Sequence, residues 1–422
     1  MITRIEALNF RCLRYVSQRM DRFHVLIGPN ASGKTTFLDV VAFLGQLVSQ
    51  GLDAAIGERT QNFQDLVWMR SGQSFELAIE LAIPADLRPS LKDPEHDTVR
   101  YEVAIGVEES SREVGFLAER VLLEKKLPAA GMQREHFPAV IPPPQTLQID
   151  IRIKNDAKAR LIVSKVPGGN DNFYSETSPA KGKRWAPAFK LGPRRSALAN
   201  LPEDELKFPV CTWLKHLLAT GIQQFVLNSL LIRRASPPGR GSTFNPDGSN
   251  LPWVIADLEQ RHPDRLAQWI AHVQTALPDL EGIRTVERPD DRHRYLMLRY
   301  RGNLEVPSWM ASDGTLRLLA LTLPAYLPDL RGTYLIEEPE NGIHPRAVET
   351  MFQSLSSAYD AQLLLATHSP VVLGIVDPGQ LLCFAKNDQG ATDIVLGSEH
   401  PALIDWRRET NLAVLFAAGV LG

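Results

Sequence analysis

VLIGPNASGKTTFLDVV, residues 25–41, joins an apolar run to a helical pattern through a glycine-bounded loop. Gly28, Gly33, Lys34 and Thr35 match G-x-x-x-x-G-K-[ST] in full. The context that gives the pattern meaning is present too. A short apolar strand at 23–27 precedes it, and Leu38, Val41, Ala42, Leu44 and Leu47 follow at helical spacing. Such a loop turns backbone N–H groups toward phosphate, and the helix start adds positive potential. The expected phosphate-binding set is Asn30, Ser32, Gly33, Lys34, Thr35 and Thr36. Lys34 supplies a point charge to the β/γ-phosphates, and Thr35 supplies a hydroxyl to Mg2+.

A loop of this kind requires a carboxylate from a second strand. TYLIEEPENGIHP, residues 333–345, supplies Glu337 and Glu338 at the end of an apolar run. The carboxyl ends of strands are where ligands of open α/β sheets bind. One carboxylate there serves the metal, and the next acts as base or orienter for attacking water.

Strands and helices alternate at both ends of the chain. Alternating or apolar runs at 2–10, 74–83, 98–107 and 115–127 read as strands, as do 294–301, 333–338 and 361–369. Helical spacing covers 314–327 and 345–359. Between these ends the composition changes. Residues 127–145 are proline-rich, 152–195 are basic, and 206–234 and 251–277 read as helices. The basic stretch holds eleven lysines and arginines against three acids, with Phe173, Tyr174 and Trp185 among them. The expected organisation is an ATPase-like part at 1–126, an inserted region at 127–293, and a second part at 294–422. The fold class is α/β: a P-loop protein with a mixed sheet and an N-terminal antiparallel β lobe.

Composition excludes several classes. The net charge is −3, so no global basic field recruits nucleic acid, and any such binding is local. Cys12, Cys211 and Cys383 are widely separated, which fits neither a zinc site nor a disulfide framework and suits a reducing cytoplasm. The longest apolar stretches fall short of the roughly 20 residues a membrane helix needs, so no membrane span is expected.

Four motifs occur in the order found in ABC-type ATPase heads of the SMC, RecF and OLD families. They are GPNASGKT (28–35), SDGTLR (312–317), YLIEEPENGIHP (334–345) and LLLATHSP (363–370). The chain most resembles the RecF/OLD-like group of bacterial AAA ATPases, whose Walker B reads E-E-P-E. The resemblance implies ATP and Mg2+ as ligands. It implies Glu337 as the Walker B carboxylate at the metal, beside Thr35, and Glu338 as the catalytic carboxylate. It implies His368 as the switch histidine on the γ-phosphate, with Lys34 completing the catalytic set. Arg11 matches a family arginine near the nucleotide. Ser312 and Gly314 match a signature motif that caps a nucleotide held by the other subunit, which implies a homodimer, or a higher oligomer built from it. Asp313 stands where a signature glycine is common, and His344 where the D-loop aspartate would be. The Q-loop glutamine is not placed; Gln61 and Gln64 are the candidates.

Two readings of the regulated partner stay open. One is an ATP-driven clamp or sensor on double-stranded DNA, in repair or anti-phage defence, with 152–195 as the contact. The other is a scaffold that holds and releases a separately encoded effector protein. OLD nucleases carry a C-terminal Toprim domain, and the stretch after His368 is too short for one, so no nuclease domain is expected. The apolar end, residues 411–422, is expected to bury in its own head or to dock a partner.

Overall fold

The computed structural model describes residues 1–109, 111–126, 134–150, 159–177, 188–328, 330–403 and 412–421. The chain opens with β1 (Ile2–Phe10), β2 (Leu13–Arg19), β3 (Phe23–Ile27), α1 (Lys34–Ser49) and α2 (Leu52–Gly57). It continues with β4 (Ser74–Ala82), β5 (Thr98–Val107), β6 (Val114–Glu124), β7 (Ala159–Lys165), β8 (Asp171–Phe173) and β9 (Ala188–Phe189). Then come α3 (Pro209–Thr220), β10 (Ile222–Phe225), α4 (Ser229–Arg233), α5 (Leu251–Arg261), α6 (Pro263–Ala276), β11 (Leu280–Glu287), β12 (Arg294–Tyr300) and β13 (Leu304–Pro307). The last part holds α7 (Asp313–Thr322), β14 (Gly332–Glu337), α8 (Pro345–Ser356), β15 (Ala361–Ala366), α9 (Pro370–Ile375), β16 (Leu381–Lys386), β17 (Thr392–Leu396) and α10 (Leu412–Ala417).

Three sheets result. An eight-stranded sheet runs β2-β1-β4-β5-β6-β7-β8-β9, antiparallel throughout. A six-stranded sheet runs β10-β14-β15-β3-β16-β17, parallel except for its last strand. A small antiparallel sheet joins β11, β12 and β13. The expected antiparallel lobe and mixed sheet are therefore both present. The range 127–293, expected as an insertion, contributes strands to all three sheets: β7–β9 to the first, β10 to the second and β11 to the third.

The mixed sheet is covered on both faces, which is why its strands read as unbroken apolar runs. Successive side chains alternate between two cores. Leu26, Leu335 and Leu364 face a core built with α1, α3 and the antiparallel sheet. Val25, Ile27, Tyr334, Ile336, Leu363 and Leu365 face a second core built with α5–α8. Each fully buried aliphatic or aromatic side chain contributes about 1.5–3 kcal/mol of transfer free energy. Gln362 ties the first strand to this sheet. Its Oε1 accepts from Ile2 N–H at 2.9 Å and its Nε2 donates to the Ile2 carbonyl at 2.8 Å.

Two helical expectations are corrected. Residues 206–234 do not form one helical stretch, because the chain leaves α3 at Gly221 and enters β10, parallel to β14. The approach there is tight: a Cβ on Gly332 would lie 2.2 Å from the Gly221 carbonyl. There Ile222–Phe225 pairs in parallel with Thr333–Ile336 and becomes the edge strand of the mixed sheet. Residues 251–277 break at His262, since Pro263 has no N–H to continue α5 and starts α6 instead.

Candidate nucleotide-binding and catalytic site

The buried strand β3 delivers the phosphate loop between two close contacts. Gly28 has φ +151° and a Cβ there would lie 2.3 Å from the Phe384 carbonyl. Gly33 has φ +109°, with Thr392 Oγ1 2.4 Å from the position its Cβ would take. Larger residues are excluded at both places by space and by backbone conformation. The Thr392 hydroxyl also donates to the Ser32 carbonyl at 2.8 Å, which pins the loop from β17. Lys34 folds over the loop, and its Nζ donates to the Gly28 carbonyl at 2.8 Å and the Pro29 carbonyl at 3.1 Å. Burial pushes its ammonium below the ordinary value, while the Glu338 and Glu337 carboxylates pull it back.

The loop, Glu337, Glu338, His368 and Lys386 line one cavity of about 360 Å³. Glu337 closes β14, and its Oε2 accepts from Thr35 Oγ1 at 2.5 Å. Glu338 follows in a left-handed conformation, φ +44°, held by its N–H on the Ala366 carbonyl at 2.8 Å. Asn341 Nδ2 donates to its carboxylate at 2.5 Å. A non-glycine residue in that region carries strain, which marks functional positions. His368 leaves β15 toward the same cavity. Glu340 Oε1 accepts from His368 N–H at 3.1 Å and from the Thr367 hydroxyl. Burial and the Lys34 cation hold the His368 ring below its ordinary pKa, partly offset by Glu338 and Glu340.

The residues present fit a magnesium nucleotide. Ser32 Oγ is buried within the loop with no protein partner. The first N–H groups of α1 have no acceptor within the helix. Thr35 and Glu337 offer two hard oxygen ligands side by side, the donor type Mg2+ takes alongside phosphate oxygens and water. Among the described residues no group of three or more His, Cys, Asp or Glu forms an all-protein metal cage.

Other expected residues lie elsewhere. Arg11 lines a neighbouring cavity with Trp68, Met69 and Arg70, and Cys12 belongs to both. Its guanidinium bonds Asp39 at 2.9 Å, and Asp39 also binds Arg59. Ser312 and Gly314 do not line the phosphate cavity. Ser312 caps α7, its Oγ accepting from Thr315 N–H at 3.1 Å. Gly314 packs on the loop after β14, where a Cβ would meet the Gly342 carbonyl at 2.4 Å. His344 caps α8, Nδ1 accepting from Arg346 N–H at 3.2 Å. Gln61 and Gln64 line neither cavity. Lys181, Lys183, Arg184 and Trp185, the densest part of the basic stretch, lie outside the described residues. Of the described cations there, Lys165 is buried against Asp171, and Arg160 donates to the Glu176 and Ser175 carbonyls. The apolar end packs on its own head. Leu412 and Leu421 join the second core, and Phe416 sits 6.5 Å from the His368 ring.

Sequence reasoning missed Cys12, Glu340, Lys386 and Thr392. Glu340 ends the E-E-P-E motif, in which the resemblance gives roles only to Glu337 and Glu338, whereas Cys12, Lys386 and Thr392 belong to no pattern that announces itself. Lys386 is the last residue of an unremarked apolar strand, and only the β3–β16 pairing brings it to the loop.

The sequence matches a family model described as AAA domain, putative AbiEii toxin, Type IV TA system, over residues 23–122 and 186–374. No curated protein matches the sequence. Two solved structures are similar in fold. One is the Smc head domain with an extended coiled coil, bound to the C-terminal domain of ScpA, from Pyrococcus furiosus. It is 12% identical, with 96% of this chain and 98% of that one covered, at a TM-score of 0.53. The other is an SmcHead bound to the C-winged helix domain of ScpA, 12% identical, with 93% and 96% covered, at a TM-score of 0.51.

Proposed function

The chain belongs to the AAA-domain family described as putative AbiEii toxin, Type IV TA system, and from that premise we propose an ATP-gated homodimer that acts as a clamp or sensor on double-stranded DNA. The activity is that of an AAA-type ATPase, and the fold is that of the Smc head. In the proposed cycle Lys34 and the loop N–H groups hold the phosphates of ATP. Thr35 and Glu337 hold Mg2+, which neutralises phosphate charge when bound. Glu338 accepts the proton of the attacking water, and His368 donates a hydrogen bond to the γ-phosphate. Ser312 and Gly314 complete the partner's site. Two nucleotides then join two heads, and hydrolysis removes the contacts that joined them.

The observation that carries this reading is the split of the site. Lys34, Glu337, Glu338 and His368 share one cavity, whereas Ser312 lies outside it, exposed at the start of α7. The biological setting, repair or anti-phage defence, follows the resemblance. DNA as partner is supported by the excess of cations in 152–195. A second reading, a scaffold for an effector protein, is supported by the two similar Smc heads, each bound to a ScpA domain.

The test uses Glu338→Gln, which removes the base and keeps the shape. With ATP and Mg2+ it should sediment as a dimer and return to monomer when ATP is withdrawn. A monomer under both conditions sinks the sandwich. Double-stranded DNA should raise phosphate release by the native chain, and charge reversal at Lys181, Lys183 and Arg184 should abolish that rise. Absence of stimulation, with specific retention of a protein encoded next to this one, selects the scaffold.

A further inference from the structure

Among the residues that hold the segment leading into α7, Arg233 at the end of α4 reaches three of its positions, while Tyr295 and Arg288 pack on Trp309 and Ala311 joins the second core. The Arg233 carbonyl accepts from the Ser308 hydroxyl at 2.9 Å. Its Nη1 donates to the Trp309 carbonyl at 3.1 Å, and its Nε donates to Asp313 Oδ1 at 2.9 Å. The short helix that presents it is itself fixed, since Asn228 Oδ1 accepts from the N–H groups of Leu230 and Leu231. Main chain and side chain of Arg233 therefore brace residues 308–313 together.

The ion pair has a charge problem to solve. Asp313 opens α7 and is 59% exposed, directly after Ser312. A carboxylate suits a helix N-terminus while nothing else binds there. It opposes a second anion arriving at the same place, because like charges brought together in an interface repel strongly. The N-terminal end of α7 would thus repel the nucleotide phosphate that Ser312 is proposed to receive. Arg233 is the cation paired with that carboxylate.

We infer that Arg233 is the positioning residue that makes an aspartate-bearing signature competent. By neutralising Asp313 and fixing residues 308–313, it lets Ser312 and Gly314 accept the γ-phosphate of ATP held by a second copy of this chain. The inference rests on the proposed ATP-joined dimer. Arg233 does not line the phosphate cavity of its own subunit and acts through Asp313.

The experiment measures ATP-dependent dimerisation by sedimentation in the full-length Glu338→Gln chain. Adding Arg233→Ala should weaken the dimer about ten-fold or more, and Arg233→Lys, which keeps the charge, should recover most of that loss. Adding Asp313→Asn to Arg233→Ala should restore dimerisation, because the uncompensated charge is gone. ATP affinity of the monomer should be the same in all variants, which also shows that each one is folded. Two results overturn the inference: Arg233→Ala dimerises like its parent, or it stays impaired after Asp313→Asn, which makes Arg233 a brace alone. If the Glu338→Gln parent itself stays monomeric with ATP, the sandwich reading falls and this inference falls with it.

Discussion

Thr35 Oγ1 and Glu337 Oε2 lie 2.5 Å apart, although 302 residues separate them in the chain. Three sheet neighbours make this contact: β14 pairs with β15, and β15 pairs with β3, which runs straight into the loop before Thr35. The pair offers two oxygens on one side of the phosphate cavity. Replacing Glu337 with Ala should raise the Mg2+ concentration for half-maximal ATP hydrolysis about 10- to 100-fold. Thr35→Val, which keeps the shape and deletes the hydroxyl, should shift the curve the same way. A magnesium titration of phosphate release reads both, and an unshifted curve removes these residues from the metal site.

Glu340 is expected to matter through His368. Its Oε1 holds the His368 N–H and the Thr367 hydroxyl at the mouth of the cavity. Glu340→Ala should lower kcat about ten-fold with little change in KM, because orientation is lost and binding is kept. Glu340→Gln retains an acceptor oxygen and should lose less. Equal effects on kcat and KM from steady-state kinetics would show that Glu340 serves nucleotide binding instead.

Gly314 is constrained inside its own subunit before any dimer forms. A Cβ there would stand 2.4 Å from the Gly342 carbonyl, in the loop that follows Glu338. Gly314→Ala must push that loop away, at a cost of about 1–3 kcal/mol. Thermal unfolding should register the loss, and turnover should fall while nucleotide affinity of the monomer holds. An unchanged Tm means that the loop after Glu338 is free to move away from the start of α7.

His24 predicts the direction of acid sensitivity. Its Nε2 accepts from Asp21 N–H at 2.8 Å, so the proton sits on Nδ1, 3.2 Å from the Gln380 carbonyl. Burial pushes its pKa below the ordinary 6.5, against smaller opposing pulls from Gln380 and Asp21. The unfolded chain therefore takes up the proton first as pH falls. Stability from this group is fully present above pH 6.5 and is lost as pH drops toward the folded value. Each unit of displacement is worth about 1.4 kcal/mol. Melting curves from about pH 7.5 to about 5.5 should show a smaller drop in Tm for His24→Gln than for the native chain. Equal drops would assign the acid sensitivity to other groups.

Much of the fold was legible because local patterns carried it. Residues 23–27, 74–82, 98–107 and 361–366 form the strands their composition indicates. IQQF at 222–225 was hidden inside a helical pattern, since only the free edge of β14 makes it a strand. Cys12, Lys386 and Thr392 were hidden for a related reason. Each reaches the site by pairing or packing between distant segments, and none carries a spacing that reports this.

The sequence by itself determined the chemistry of the phosphate loop. Glycines at 28 and 33, a lysine at 34 and a hydroxyl at 35 are a local backbone specification, complete within one turn of chain. It also identified the carboxylates at 337 and 338 and the histidine at 368, each at the end of an apolar strand. Only the tertiary structure decided which of these meet. It brought Thr35, Glu337, Glu338 and His368 to one cavity and left Ser312 outside it, next to the Arg233–Asp313 pair. The physical reason is that a motif fixes φ, ψ and residue type over a few positions. Strand order in a parallel sheet is set by non-local hydrogen bonding and by the two cores that cover it.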